Sequence, residues 1–482
     1  MILLALVLVV FAFDGAASAQ SNADAATVTA TLSNVTRVES WSYFTPPPQA
    51  GSDPTYTFPA DRAELGIRVD GARFDIAGAF NYVRIENLPA NAIGPGGLGA
   101  GAFYFAAAGV PYSYQLYLSE LLLRAKTRDG RFAVTLGRMH FASGLESAST
   151  SPAIERLKRE RLASRLVGDF EWSHYQRRFD GLRLDVDRPS WHATGAVLMP
   201  TQGGFEESAN LTMPKLQIAS AAVTRKASAS ASTSLRAGEW QVFGQVYRDR
   251  RGLMARPDNS GSDDVPVDVT IAAFGGSLAR VSPTRHGEVD LVLWGAGELG
   301  DWYGQSQRAA SVVVEAGHRW TNTALRPWLR GGYAYASGDG DPLDHRHGTF
   351  FQMLPSSRKY ALSSAYTQMN LKDAFVQAWI EPARYSARVE VHRLDLANAA
   401  DLWYQGSGAT AGNPPRFFGF SGRSANGATS FGTVVESVVD VPIMRFWSIN
   451  GYVGTIWGGE VVKRSFSGKR LTTWFIENVI RF

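Results

Sequence analysis

Arg62-Ala63-Glu64-Leu65-Gly66-Ile67-Arg68-Val69-Asp70 alternates without a break: Ala, Leu, Ile and Val fall on one face, Arg, Glu, Arg and Asp on the other. Successive side chains of a strand point to opposite sides, so this stretch is a strand with one apolar and one ionic face. Asp70-Gly71 supplies a tight turn. The alternation resumes in Arg73-Phe74-Asp75-Ile76 and runs on through Phe80 and Tyr82. The pattern reads as a hairpin that is apolar outside and ionic inside.

The plan repeats along the chain. Leu116 to Thr127, the turn Arg128-Asp129-Gly130 and Arg131 to Met139 form a second such hairpin. Strand-like segments begin near residues 26, 61, 73, 116, 131, 179, 190, 213, 237, 268, 286, 308, 324, 367, 384, 429, 444 and 470, about 18 in all. Short turns at 70–72, 128–130, 187–189, 321–323, 381–383 and 441–443 contrast with long connections at 39–60, 85–115, 140–178, 338–366 and 397–428. The expected fold is an all-β, antiparallel up-and-down transmembrane barrel with long extracellular loops and short periplasmic turns. An even strand number puts both termini in the periplasm.

Composition agrees. Mean hydropathy is −0.13, and past residue 20 no apolar run is long enough for a spanning helix. A barrel hides its lipid face in alternation, so window averages stay near zero. Thirteen Trp, 17 Tyr and 26 Phe suffice for two aromatic girdles, and 48 Gly for turns and close strand crossings. The chain has no cysteine, which excludes thiolate metal sites and Cys nucleophiles. At the N-terminus, apolar Met1 to Phe13 precedes Asp14, Gly15 and Ala16-Ala17-Ser18-Ala19; residues 1–19 read as a signal peptide and 20–482 as the barrel. The last strand, Leu471 to Phe482, carries Trp474, Ile476, Ile480 and the terminal Phe on one face, with Asn478 interrupting the row.

Two stretches resemble the alginate export family of outer-membrane barrels. The first runs through Leu136-Gly137-Arg138, then Arg165-Leu166-Val167-Gly168-Asp169-Phe170-Glu171-Trp172, then Arg178-Phe179-Asp180-Gly181-Leu182-Arg183-Leu184. The second is Tyr333-Ala334-Tyr335-Ala336-Ser337-Gly338-Asp339-Gly340-Asp341-Pro342, followed by Gly348-Thr349-Phe350, Leu354-Pro355 and Lys359-Tyr360. The resemblance implies an 18-stranded monomeric barrel with a basic constriction that passes an anionic polysaccharide. This chain departs from the pattern by an extra segment, Ser151-Pro152-Ala153-Ile154-Glu155-Arg156-Leu157-Lys158-Arg159-Glu160-Arg161. Ser at the cap and Pro at the first position predict a short basic helix. It fits equally a constriction folded into the lumen and a solvated external flap.

Basic residues number 48, of which 40 are Arg and 8 Lys, and the net charge is +4. They are spread from Arg37 to Arg481 rather than massed on one face or tail, which argues against a nucleic-acid partner. Arg keeps its charge and binds carboxylates through two points, so Arg in a low-dielectric channel concentrates anions. Polar-face candidates for contact with an anionic polysaccharide or acidic oligosaccharide are Arg62, Arg68, Arg73, Arg124, Lys126, Arg138, Arg165, Arg183, Arg326, Arg330, Arg388 and Arg481. They are interleaved with Glu64, Asp75, Glu120, Asp185, Glu315 and Glu390. Opposed Arg and carboxylate rows also fit a second reading, in which they neutralise each other and stiffen the wall. Asp339, Asp341 and Asp344 offer hard oxygens to Ca2+, in a spacing that is not that of an EF-hand; no other cofactor is expected. Gly94-Pro95-Gly96-Gly97-Leu98-Gly99 matches a dinucleotide motif only in letters, since no parallel-strand unit precedes it. His140 with Ser143 suggests an acyl hydrolase, but the sequence supplies no orienting third residue.

The reading is therefore a channel and not an enzyme. It conducts an anionic, alginate-like polysaccharide or its oligosaccharides, or alternatively takes up small acidic or aromatic solutes. Its other partners are outer-membrane lipid and periplasmic secretion proteins.

Overall fold

The computed structural model describes residues 26–48, 51–92, 99–204, 209–227, 238–261, 264–356, 362–363, 365–406, 408 and 418–482. The signal-peptide reading, most of the Gly94–Gly99 stretch and Lys359-Tyr360 lie outside these residues.

Eighteen long strands follow one another around a closed ring. They are β1 (Thr27–Ser42), β2 (Thr55–Asp70), β3 (Phe74–Ile85), β4 (Ser113–Lys126), β5 (Phe132–Met139), β6 (Phe179–Asp187), β7 (Trp191–Pro200), β8 (Leu216–Arg225) and β9 (Gly238–Asp249). The ring continues with β10 (Val269–Thr284), β11 (Gly287–Trp302), β12 (Gln305–Arg319), β13 (Trp328–Ala336), β14 (Leu371–Ile380), β15 (Ser386–Leu396), β16 (Ser430–Met444), β17 (Trp447–Gly458) and β18 (Arg470–Arg481). Each pairs antiparallel with the next, and β18 returns to β1 in the register Ser33↔Arg481 to Ser42↔Thr472. Closure removes both free edges, the condition for strands to cross hydrocarbon. A two-residue piece, Arg346–His347, adds a parallel pairing to β12.

The strand starts fall within a few residues of those predicted. The largest difference is at β2, which begins at Thr55 rather than 61 because β1 and β2 pair over their whole length, so that their connection shrinks to 43–54. The β13 approach, 320–327, is longer than the predicted turn at 321–323, with Arg326 held left-handed at φ 44. At the opposite end β11 and β12 join through the tight turn Tyr303-Gly304, so not every connection at the loop end is long.

Alternation gives the wall its two faces. On β2, Leu65 and Ile67 point outward at 42% and 55% exposure, while Arg62, Glu64 and Arg68 point inward. A β-bulge in β4 opposite Ala79/Phe80 shifts the parity there, so Tyr117 and Ser119 above it and Glu120, Leu122 and Arg124 below it face the interior. Gly137 sits at φ +122, and a Cβ there would drive into the Leu121 carbonyl, so the Gly of Gly137-Arg138 is fixed by the close approach of β4. Exposed aromatics ring the turn end (Phe74, Phe132, Trp191, Tyr385, Phe446) and the loop end (Tyr82, Tyr114, Trp457). The terminal Phe482 stacks on Phe446 at 5.0 Å between centroids. Asn478 is tolerated on the outer face because the Trp447 indole N–H donates to its Oδ1 at 2.6 Å.

Among the described residues, three helices occupy the loop-end connections: α1 (Ala100–Ala108), α2 (Pro152–Leu157), which runs on as a π-helical turn over Lys158–Leu162, and α3 (Glu460–Ser465). Val376, 63% exposed midway along β14, tests the two faces. Val376→Arg is expected to lower the unfolding free energy by about 2–4 kcal/mol in lipid vesicles, the cost of a guanidinium near the bilayer midplane. Urea titration that finds no loss would contradict the outward assignment.

Candidate functional site

The connection 140–178 turns into the barrel. Ser151 caps α2, its Oγ accepting from the Ile154 N–H at 3.4 Å, with Pro152 in the first turn. Ile154 and Leu157 are buried, and the helix packs against β10. The extra segment at 151–161 thus takes the lumenal one of its two readings.

Its basic residues grip separate parts of the wall. Arg156 meets Glu381, in the β14–β15 turn, at 2.7 Å. Lys158 meets Glu239 of β9 at 2.5 Å. Arg161 holds Glu315 of β12 through two bonds of 2.7 and 3.0 Å. Glu160 reaches Arg388 of β15 at 3.5 Å. Glu315 also receives Arg165 at 3.3 Å and Arg330 at 2.8 Å, so three guanidiniums surround one carboxylate that is 1% exposed. Arg330 pairs in addition with Asp290, which the Trp328 indole orients at 2.7 Å. Removing charges from water costs several kcal/mol each, which only close pairing offsets, so the cluster locks the segment in one position.

The two stretches that carry the family resemblance meet beside this segment. Leu166-Val167-Gly168 pairs with Leu354, the Gly168 N–H donating to the Leu354 carbonyl at 2.8 Å and the Leu354 N–H to Leu166 at 2.8 Å. Arg177, fully buried, donates to the carbonyls of Gly168 (2.8 Å), Leu354 (2.8 Å) and Gly408 (2.6 Å) and lies over the rings of Phe170 and Phe179.

Two open cavities flank the folded-in chain. One, about 440 Å³ near the turn end, is lined by Arg68, Arg124, Arg183, Asp185, His192 and Lys226 among others. The second, about 510 Å³, is lined by Arg37, Arg62, Glu64, His140, Asp169, Arg178, Glu477 and Arg481 among others. The inward row of β2 (Arg62, Glu64, Arg68) runs from one to the other.

The predicted residues divide into groups. Arg68, Arg124, Lys126, Arg183 and Asp185 sit in or beside the first cavity, and Arg62 and Arg481 line the second. Each charged pair is local: Arg68 with Asp70 at 2.7 Å, Lys126 with Asp75 at 2.6 Å, Arg183 with Asp185 at 2.9 Å. Arg68 and Arg124 nevertheless remain 43% and 36% exposed, so their heads stay open to a solute. Glu120 faces His140 at 3.7 Å. Arg165, Arg330, Arg388 and Glu390 belong to the locking cluster. Three assignments are corrected. Arg73 and Arg326 lie exposed in turns at the mouth, because each strand ends short of them. Arg138 faces outward: it is in register with Leu121 and Asp180 on the lipid side and closes a two-point pair with Asp180, both bonds 2.8 Å, at the loop-end rim.

Sequence reasoning missed Arg37, Arg178, Glu239 and Asp290. For Arg37 the signal was present, since Val35, Arg37, Glu39 and Trp41 share the inward face of β1; it pairs with Glu477 at 2.5 Å. The others become visible only once the connection 140–178 is placed.

Within that connection His140 Nδ1 lies 2.8 Å from Asp169. Burial opposes the charge on Asp169, but the His140 hydrogen bond and the charges of His140 and Arg178 outweigh it and hold the carboxyl down at about 2. Ser143 Oγ is bonded instead to the backbone of Val167, at 3.1 and 3.2 Å, so His140 and Ser143 form no hydrolase pair. The calcium reading also fails to gather its ligands. Asp341 and Asp344 cap turns at Leu343 and Arg346, while Asp339 is buried and receives the Gly348 N–H. Among the described residues, the one group of three whose ligand atoms lie within 4.8 Å of one another is Glu390, His392 and Glu436.

The family model for alginate export matches residues 115–470. No curated protein matches the sequence. Solved structures with the same fold include Pseudomonas aeruginosa OpdK with vanillate (8% identity, TM-score 0.54, 94% of this chain and 98% of that one). Pseudomonas aeruginosa OccK2 (OpdF) is similar at 8% identity and TM-score 0.55, over 94% and 97% of the two chains. Acinetobacter baumannii OccAB4 follows at 8% and 0.52, over 94% and 98%.

Glu315→Gln leaves three buried guanidiniums short of their counter-charge and is expected to cost about 3–5 kcal/mol. Arg159→Gln, which removes the solvated i,i+4 partner of Glu155, is expected to cost under about 0.5 kcal/mol. Equal unfolding midpoints for the two variants in urea would mean that Glu315 does not lock the segment.

Proposed function

The chain belongs to the alginate export family and forms an outer-membrane channel, and from this premise we propose that it conducts small carboxylate-bearing solutes, from monomeric acids to short acidic oligosaccharides, by facilitated diffusion. The observation that carries the reading is the row Arg62, Glu64, Arg68, joined by Arg124 and Arg183, along two cavities of about 510 and 440 Å³. Spaces of this size suit single ligands rather than a long polymer. Arg heads in a confined, water-filled lumen attract carboxylates, and the interleaved acids keep each contact weak enough to release. That a neighbour of the same fold was solved with vanillate is consistent with small solutes.

Family membership favours a second reading, passage of a long anionic polysaccharide between periplasmic partners and the outside. That reading requires the segment 152–162 to leave its grip on Glu239, Glu315 and Glu381, because the segment occupies the bore. Transport direction follows the gradient in either case.

Planar-bilayer recordings separate the readings. The expected result is anion-selective current that millimolar monomeric uronate reduces, with selectivity falling several-fold in Arg62→Gln/Arg68→Gln. Block by long alginate and indifference to monomers would favour the polymer reading. Cation-selective current insensitive to both would refute an anion pathway.

A further inference from the structure

We infer that Glu390, His392 and Glu436 form a binding site for a divalent transition-metal ion of the zinc class, built into the inner wall where β14, β15 and β16 meet.

Glu390 of β15 stands directly opposite Glu436 of β16, and both side chains point inward at 3% and 2% exposure. Like charges directly opposite each other on paired strands are destabilising unless something positive stands between them. The available guanidiniums serve only one oxygen of Glu390: Arg388 and Arg161 approach its Oε1 at 3.6 and 3.9 Å. Arg161 is meanwhile committed to Glu315. His392 faces the other oxygen, Oε2.

His392 is oriented as a metal ligand. Its Nδ1 is fixed by both oxygens of Asp373 on β14, each at 3.0 Å. A carboxylate behind a histidine sets the ring's tautomer and frees the far nitrogen to coordinate. That far nitrogen, Nε2, is buried, has no hydrogen-bond partner and lies 3.5 Å from Glu390 Oε2. Ligands at about 2.1 Å around a tetrahedral zinc ion are separated by roughly 3.4 Å, so this spacing fits one edge of such a site. Glu436 is also held in place, receiving the Tyr452 hydroxyl at 2.9 Å, the Ser363 N–H at 3.0 Å and the Leu362 N–H at 3.1 Å. A second buried polar atom without a hydrogen-bond partner, the Tyr366 hydroxyl, feels the charges of Asp373, Glu436 and Glu390. A narrow cavity is lined by Arg161, Glu315, Tyr366 and Asp373, the carboxylate behind His392. One nitrogen and two carboxylates suit a borderline ion better than calcium, which takes oxygen ligands alone.

The ion would bridge β15 and β16, with β14 joined through Asp373 behind His392. The test uses the full-length barrel folded in detergent, stripped with EDTA, dialysed against ZnCl2 and assayed by elemental analysis and calorimetric titration. Wild type is expected to hold one zinc per chain and to melt at a higher temperature with zinc than without. His392→Ala and Glu436→Gln are expected to lose both effects, and Asp373→Asn to bind 10- to 100-fold more weakly. Heat-modified gel migration identifies folded barrels, and Asp373→Asn, which keeps all three ligands, gives a reading even if His392→Ala fails to fold. Wild type with no zinc, or zinc retained equally in all three variants, would overturn the site. So would an NMR signal from a histidinium at His392 in zinc-treated protein, since the ring itself would then supply the positive charge.

Discussion

Hydrocarbon offers no hydrogen-bond partner to a peptide group, and this constraint governs the molecule. A single unpaired backbone group in the bilayer costs several kcal/mol, so strands that cross it must close on themselves. The register between β1 and β18 is the closing contact, and it forces the inside-out pattern of every other strand. Apolar side chains must face lipid, and the polar ones are left to share a narrow interior. Charge density in the lumen follows from closure.

Charges confined in this way must be paired or hydrated, and the protein does both. Where the connection 140–178 folds in, water is displaced and the charges collapse into close pairs around Glu315, Glu239 and Glu381. Where water remains, Arg68 and Arg124 keep partly open heads beside their carboxylates. The same residue types therefore serve as lock in one sector and as solute-facing wall in another. The division follows where the segment 152–162 lies, and local sequence does not determine it.

The barrel was legible because alternation is a local property: Leu65, Ile67, Arg62 and Arg68 declare their faces within one strand. Strand number and starts followed from the same period, and β2 differed only because pairing with β1 extends it beyond its clearest alternation. The site was less legible. Arg138 sits in a motif that otherwise leads inward, yet its face is set by register with Leu121 and Asp180. Lys158 and Arg161 were visible as a basic helix, but nothing local distinguishes a helix bound to Glu239 and Glu315 from one in solvent. Those partners are 81 and 154 residues away. Arg177, buried among backbone carbonyls rather than carboxylates, carries no signal in its own neighbourhood.

The division of the lumen into lock and solute-facing wall rests on the inward position of the segment 152–162, and the absence of cysteine from the chain makes that position directly measurable. The double variant Arg156→Cys/Glu381→Cys, and Arg156→Cys alone, can be probed in whole cells with a membrane-impermeant maleimide and then with a short bismaleimide. The thiol at position 156 is expected to resist the external reagent and, in the double variant, to cross-link to the thiol at position 381. Ready labelling of position 156 from outside, without cross-linking, would put the segment on the surface and contradict the account.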